Sequence, residues 1–297
     1  MKRLAPFALL AAALLTTTAM AAPDVVASIK PVHSLVAAVM AGLGEPALIV
    51  KGSASPHTYA LKPSDAGALE AADIVFWTGH GMELFLGDAL ETLATGATVV
   101  ELADTPGITL LPVREGGAFE SHSHEEHGHD HEHEHDHDHE HEHEHEHEDG
   151  HDHGEADMHF WLDPRNAALM VTHIAETLAA ADPENAALYA GNAQAELDRL
   201  EQLEGELSAM LAPVSDRPFI VFHDAYQYFE ARFGLDLAGS VTVTPDVMPG
   251  AARIDELRAR IDELGAVCVF AEPNFEPAII GSIIEGTEAK AEEPAAE

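Results

Sequence analysis

From Asp24 onward the chain alternates short apolar runs with segments of helical period. Residues 25–29 read as a strand and 32–41 as a helix ended by Gly42. A strand at 47–50, a helix at 63–72 with Pro63 at its start, a strand at 74–77, a helix at 82–94 and a strand at 97–102 follow. Asp163-Pro164 opens a helix running to about residue 181. Asp182-Pro183 opens another, to about residue 211, with Asp as cap, Pro at the first helical position and Glu184 in the first turn. Leu197, Leu200, Leu203 and Leu207 form a stripe on this helix. At ~1.5 Å per residue it spans roughly 40 Å, a length suited to a strut between two lobes. A second alternating unit has strands at 219–222, 239–243 and 267–270 and helices at 225–233 and 249–264. The last helix carries Ile254, Leu257, Ile261 and Leu264 on one side and is stopped by Gly265. Strands alternating with helices predict an α/β protein whose parallel sheets are covered on both faces.

Composition sharpens this picture. The 297 residues are 46% hydrophobic, enough to build two cores. The formal net charge of −39 is extreme. Nucleic acid is thereby excluded as a partner, because binding it needs basic surface to neutralise phosphates. Cations are the natural ligands of such a field.

The N-terminus has the form of a secretory signal. Lys2 and Arg3 precede an apolar run, and Ala19-Met20-Ala21 fits the small-x-small cleavage pattern, which places cleavage after Ala21. The run is too short for a span, which needs ~20 apolar residues. Cys268 is the only cysteine, so no internal disulfide and no lipid anchor at a new N-terminal cysteine are expected. Its apolar surroundings predict a buried strand thiol. These features predict a free periplasmic protein.

Between residues 116 and 157 the composition changes completely. The stretch holds fifteen histidines, many acids and no Lys or Arg. It cannot bury a face and is expected to be a disordered loop. The H-E-x-x-H pattern at His131-Glu132 to His135 arises from a two-letter repeat. It does not indicate a zinc protease, which needs that motif on a packed helix. The predicted organisation is a signal peptide at 1–21, an N-terminal lobe at 22–115, the His-rich loop at 116–157 and the end of the first lobe at 158–181. A linker helix at 182–212, a C-terminal lobe at 213–285 and a disordered polar tail at 286–297 complete it.

Six histidines lie outside the loop: His33, His57, His80, His159, His173 and His223. In open α/β sheets ligands bind beyond the carboxyl ends of strands. His57 follows the 47–50 strand, His223 ends the 219–222 strand, and His159 lies in the connection before the next helix. These three can face one cleft. His173 is mid-helix, His33 is near a helix start, and His80 sits among glycines as an exposed loop residue. Position alone leaves open that each of the three is simply a hydrogen-bonded loop side chain.

Five stretches carry a resemblance: Ala27 to Leu35, Gly52 to Asp65, His159 to Pro164, Phe222 to Tyr226, and Phe270 to Pro273. In order and content they resemble the zinc-binding members of the cluster A-I metal solute-binding proteins. The resemblance covers residues 24–285, with the His-rich insertion where the zinc subgroup often carries one. It implies two α/β lobes joined by a long rigid helix with the metal in the interlobe cleft. It also implies ligand roles for His57, His159 and His223, and Zn2+ as transported cargo handed to the membrane permease of an ABC importer. Such a protein is expected to be a monomer and not an enzyme.

Manganese and iron members resemble this chain but usually carry a carboxylate at the position of His223, and imidazole favours zinc. A manganese or iron binder is the alternative within the family. A zinc hydrolase is the alternative outside it, since three histidines plus an open position also describe a catalytic site. A pure metal buffer acting through the His-rich run is a further one. The chain departs from the family pattern after Ile284, where it turns polar and no counterpart of a late Asp is found. The second lobe is therefore expected to lack one strand and one helix. The fourth ligand is left open among water, a carboxylate and a histidine of the run.

Overall fold

The computed structural model describes residues 22–114, 156–242, 249–265, 268–272 and 277–292. The expected signal peptide and nearly all of the His-rich loop lie outside them. No helix among the described residues is long and apolar enough to cross a membrane.

The first lobe runs β1 (Val25–Ala27), α1 (Lys30–Val39), β2 (Ala47–Leu48), α2 (Pro63–Ala71), β3 (Ile74–Trp77), α3 (Gly87–Leu93) and β4 (Thr98–Glu101). Its four strands are parallel in the order β2-β1-β3-β4. β1 pairs with β2 through Val26↔Ala47 and with β3 through Val25↔Ile74. β1 and β3 are buried throughout, which explains their unbroken apolar runs. A small antiparallel pair follows, β5 (Leu111–Pro112) with β6 (Ala156–Asp157). α4 (Pro164–Ala181) closes the lobe, with the Asp163 side chain accepting from the Arg165 N–H as N-cap.

The expected helix at 82–94 is shortened to α3 because Glu83 is pulled out of it. Glu83 is fully buried and accepts from Ser28 Oγ (2.5 Å), from the backbone N–H groups of Thr78 (3.3 Å) and Gly79 (3.1 Å), and from the Thr78 hydroxyl. Burial raises its pKa, while these donors act in the opposite direction. The carboxyl thus ties together the carboxyl ends of β1 and β3.

α5 (Ala186–Leu211) is 26 residues long, ~39 Å at ~1.5 Å per residue. Its first half buries Tyr189 and Ala193 against the first lobe, and Leu197 and Leu200 pack there too. Leu203 is 43% exposed and Met210 70% exposed, so the leucine stripe is packed only in part. A helix packed deeply at one end and only in part along the rest serves as a strut.

The second lobe runs β7 (Phe219–His223), α6 (Gln227–Phe233), β8 (Leu237–Thr242), α7 (Ala251–Leu264), β9 (Cys268–Phe270), α8 (Pro277–Ile284) and β10 (Lys290–Glu292). Its sheet is parallel in the order β10-β9-β7-β8. Gly265 ends α7 at φ 62°, the left-handed conformation glycine adopts freely.

Three expectations are corrected here. The segment after residue 285 is not structureless throughout, nor is the further strand missing. Lys290, Ala291 and Glu292 pair in parallel with Cys268, Val269 and Phe270. An edge strand is held by backbone bonds on one side only and tolerates charged side chains, so it leaves little apolar signal in the sequence. Cys268 is half-buried rather than buried.

Candidate metal centre

His57 sits in the loop between β2 and α2, its backbone N–H donating to Ser55 Oγ at 3.3 Å. His159 directly precedes a short 3-10 turn at Phe160–Leu162. His223 is the last residue of β7, at the carboxyl end of the strand from which the chain steps to β8 on one side and β9 on the other. That is the switch point where open α/β sheets bind ligands.

The structure brings these three rings together. Their centroids lie 5.6 Å (His57–His159), 6.0 Å (His57–His223) and 5.3 Å (His159–His223) apart. One ligand nitrogen from each falls within 4.8 Å of the others. Zn–N bonds of about 2.0–2.1 Å in tetrahedral geometry place ligand nitrogens about 3.3 Å apart. Small side-chain shifts therefore suffice to close the set on an ion.

Two carboxylates orient two of the rings. Asp157 Oδ1 accepts from both the backbone N–H (3.0 Å) and Nδ1 (2.8 Å) of His159. Glu272 Oε1 accepts from His223 Nδ1 at 2.5 Å. An ionised carboxylate only accepts, so each Nδ1 is the donor and Nε2 is the nitrogen that can bind a metal. Burial, followed by repulsion from His159 and His223, lowers His57 from 6.5 to about 3, so this ring is neutral near pH 7. Three imidazoles converge, and histidine binds metal through an unprotonated ring nitrogen.

The three rings and Glu272 line a cavity of ≈220 Å³ whose wall also includes Ile29, Met82 and Trp161. The other histidines stay apart. His80 is 64% exposed beside Trp77 and Glu101, and the ring of His33 faces the Pro46 carbonyl at 3.0 Å. His173 is half-buried in α4. The sequence pattern assigns no role to Asp157 or Glu272. An acid two residues before His159 was a visible signal; the 49-residue separation of Glu272 from His223 was not.

A family model for the periplasmic zinc-uptake complex component A matches residues 25–296. The chain belongs to this family. It is 55% identical over 271 residues to the high-affinity zinc uptake system protein ZnuA of Brucella abortus (strain 2308), covering 90% of this chain and 81% of the relative. The protein of the same name from Paracoccus denitrificans (strain Pd 1222) is 43% identical over 287 residues, 95% of this chain and 87% of that one. Among solved structures, a crystal structure of ZnuA is similar at TM-score 0.71 and 26% identity, covering 92% of this chain and 90% of that chain. A zinc-bound 138-173 deletion mutant of ZnuA is similar at the same TM-score and identity. The family is one of solute-binding transport proteins and is not an enzyme family.

Proposed function

We propose that this chain captures Zn2+ in the periplasm through His57, His159 and His223 and delivers it to the membrane permease of an ABC importer, without catalysing a reaction. The observation that carries the reading is the convergence of three imidazoles from two lobes on one cavity. The family and the names of the relatives support zinc as cargo. Nitrogen donors place zinc well above manganese, which prefers oxygen. The fourth position is open to water, a carboxylate or a histidine of the run. Crystals soaked in zinc should show one anomalous peak at the zinc edge among the three rings, and manganese should not compete at equal concentration. No peak among the three rings, or manganese binding as tightly as zinc, overturns the proposal. A hydrolase would turn over an ester substrate; this protein should not.

The leader at 1–21 directs export, and the mature chain works as a free monomer. The His-rich run, outside the described residues, collects zinc. Its alternating acids raise the local cation concentration, and its sites are weaker than the cleft. Calorimetric titration should show one tight site plus several weak ones in the intact chain and only the tight one after deletion of residues 118–155. Identical stoichiometry in both forms reduces the run to a spacer.

A further inference from the structure

Helix α6 belongs to the second lobe by sequence, yet one of its faces is built into the first. Tyr228 is 4% exposed and packs within the first lobe's core. Its hydroxyl donates to the Asp157 carbonyl (2.7 Å) and accepts from the Leu111 N–H (2.7 Å), pinning β5 and β6. Burial pushes this phenol up to about 12, so it keeps its proton and remains a donor. One residue earlier, the Gln227 amide, oriented to satisfy both acceptors, donates to Asp157 Oδ2 (3.1 Å) and to the Pro112 carbonyl (3.1 Å). Asp157 is the residue that orients His159. A ligand of the first lobe is thus held in place by a helix of the second.

The reverse also holds. Asp224 directly follows His223 and is paired on both oxygens by Arg114, which precedes the His-rich run in the first lobe. The same guanidinium reaches Glu230 of α6 at 2.5 Å. The Asp224 side chain is 5% exposed and that of Arg114 17%, so this is a half-desolvated bidentate pair rather than a solvated surface contact. Arg232 adds a second crossing to the two oxygens of Asp163, four residues after His159 (2.7 and 2.5 Å).

We propose that these contacts form a crossed clasp in which Gln227 and Arg114 are positioning residues, each lobe setting the orientation of the metal ligand carried by the other. The inference rests on the three histidines being the metal site. The physical reason for crossing is geometric. Two lobes joined by a single strut can rotate against each other, and a rotation that moves His223 away from His159 pulls apart both Arg114–Asp224 and Gln227–Asp157. Ligand spacing and lobe orientation become one variable, which makes the site preformed.

The test uses the full chain and its Gln227→Met, Arg114→Gln and Arg114→Lys variants. Zinc affinity is read by chelator competition, and the visible spectrum of the Co2+-loaded protein reports ligand geometry. Gln227→Met and Arg114→Gln should each weaken zinc about 10-fold, the lower end of the effect of partners that orient metal ligands. Both should alter the intensity of the Co2+ bands. Arg114→Lys, which keeps the charge and loses the fork, should fall between wild type and Arg114→Gln. If Gln227→Met does not fold, Tyr228→Phe removes a single hydroxyl from the same contact and should show the same direction of effect. Wild-type zinc affinity and an unchanged Co2+ spectrum in the folded variants, with only the melting temperature lowered, overturn the clasp. A wild-type chain that binds no zinc at all removes the site reading instead.

Discussion

The two lobes share one strand order and differ in how thoroughly they are packed. In the first, β1 is flanked by β2 on one side and by β3 then β4 on the other; in the second, β7 is flanked by β8 and by β9 then β10. Among the described residues the first core joins 36 buried apolar side chains and the second 11, so the same topology is filled to different depth. The second sheet packs Ile220, Phe222 and Val269 against α7 and α8. Its opposite face, with Phe219, Val221 and Phe270, borders an apolar cleft of ≈580 Å³ that α6 and the end of α5 only partly cover. A parallel sheet is stable when both faces are covered. The thick lobe supplies two of the three converging histidines and the thin lobe one. Order of strands therefore decides where a site can form, and depth of packing decides how firmly each half holds it.

Breaking the comparison at the histidines should produce the largest change. His57→Ala, His159→Ala and His223→Ala, each in a chain lacking residues 118–155, should weaken zinc on the order of 1000-fold, or about 4 kcal/mol. Competition against a zinc indicator reads this out. Unchanged affinity in all three would sink the assignment, and a loss confined to the first-lobe pair would show that the thin lobe contributes none.

Next come the cores. Leu178→Ala in the first lobe and Ile283→Ala in the second each remove a fully buried side chain and should cost about 2–5 kcal/mol. Chemical denaturation followed by hydrogen exchange separates them. Ile283→Ala should expose β7–β10 amides while β1–β4 stay protected; equal loss of protection in both lobes would refute independent packing.

Carboxylates that hold the ligands should matter less. Asp157→Asn and Glu272→Gln keep shape but let the neighbouring imidazole flip its tautomer, with an expected loss of about 10–100-fold in zinc affinity. Imidazole nitrogen shifts should reveal mixed tautomers at His159 and His223 respectively, and a single tautomer in both variants contradicts the assignment.

The pH response is the mildest. His57 lies at about 3, so it holds no proton between about pH 7.5 and about pH 5.5 and has none to release. Zinc affinity should still fall over that range, because metal and proton compete for the imidazole nitrogens that bind the ion. Fewer than three protons should leave per ion, measured by calorimetry in buffers of different ionisation enthalpy; three overturns the neutral His57. For the metal-free chain the folded pKa lies below the unfolded 6.5, so the unfolded state takes the proton first. The His57 contribution to stability is complete above pH 6.5 and is lost as pH falls toward about 3.

Much of this molecule was legible from residues alone. Apolar runs at Val25–Ala27 and Ile74–Trp77 announced buried parallel strands, because strands covered on both faces need no polar alternation. Asp163-Pro164 and Gly265 marked helix ends through local backbone chemistry. The candidate histidines were readable as strand-end residues and became a set through resemblance. Other features depended on partners far along the chain. Glu83 left its helix for Ser28 and Thr78, and Lys290–Glu292 became a strand because β9 offered an open edge. Glu272 found His223 across 49 residues, and α6 crossed into the first lobe to hold Asp157. Periodicity and capping are local and survive in one dimension. Hydrogen bonds between distant carboxylates and imidazoles exist only once packing has brought them within 3 Å, so tertiary structure alone decided how the ligands are oriented.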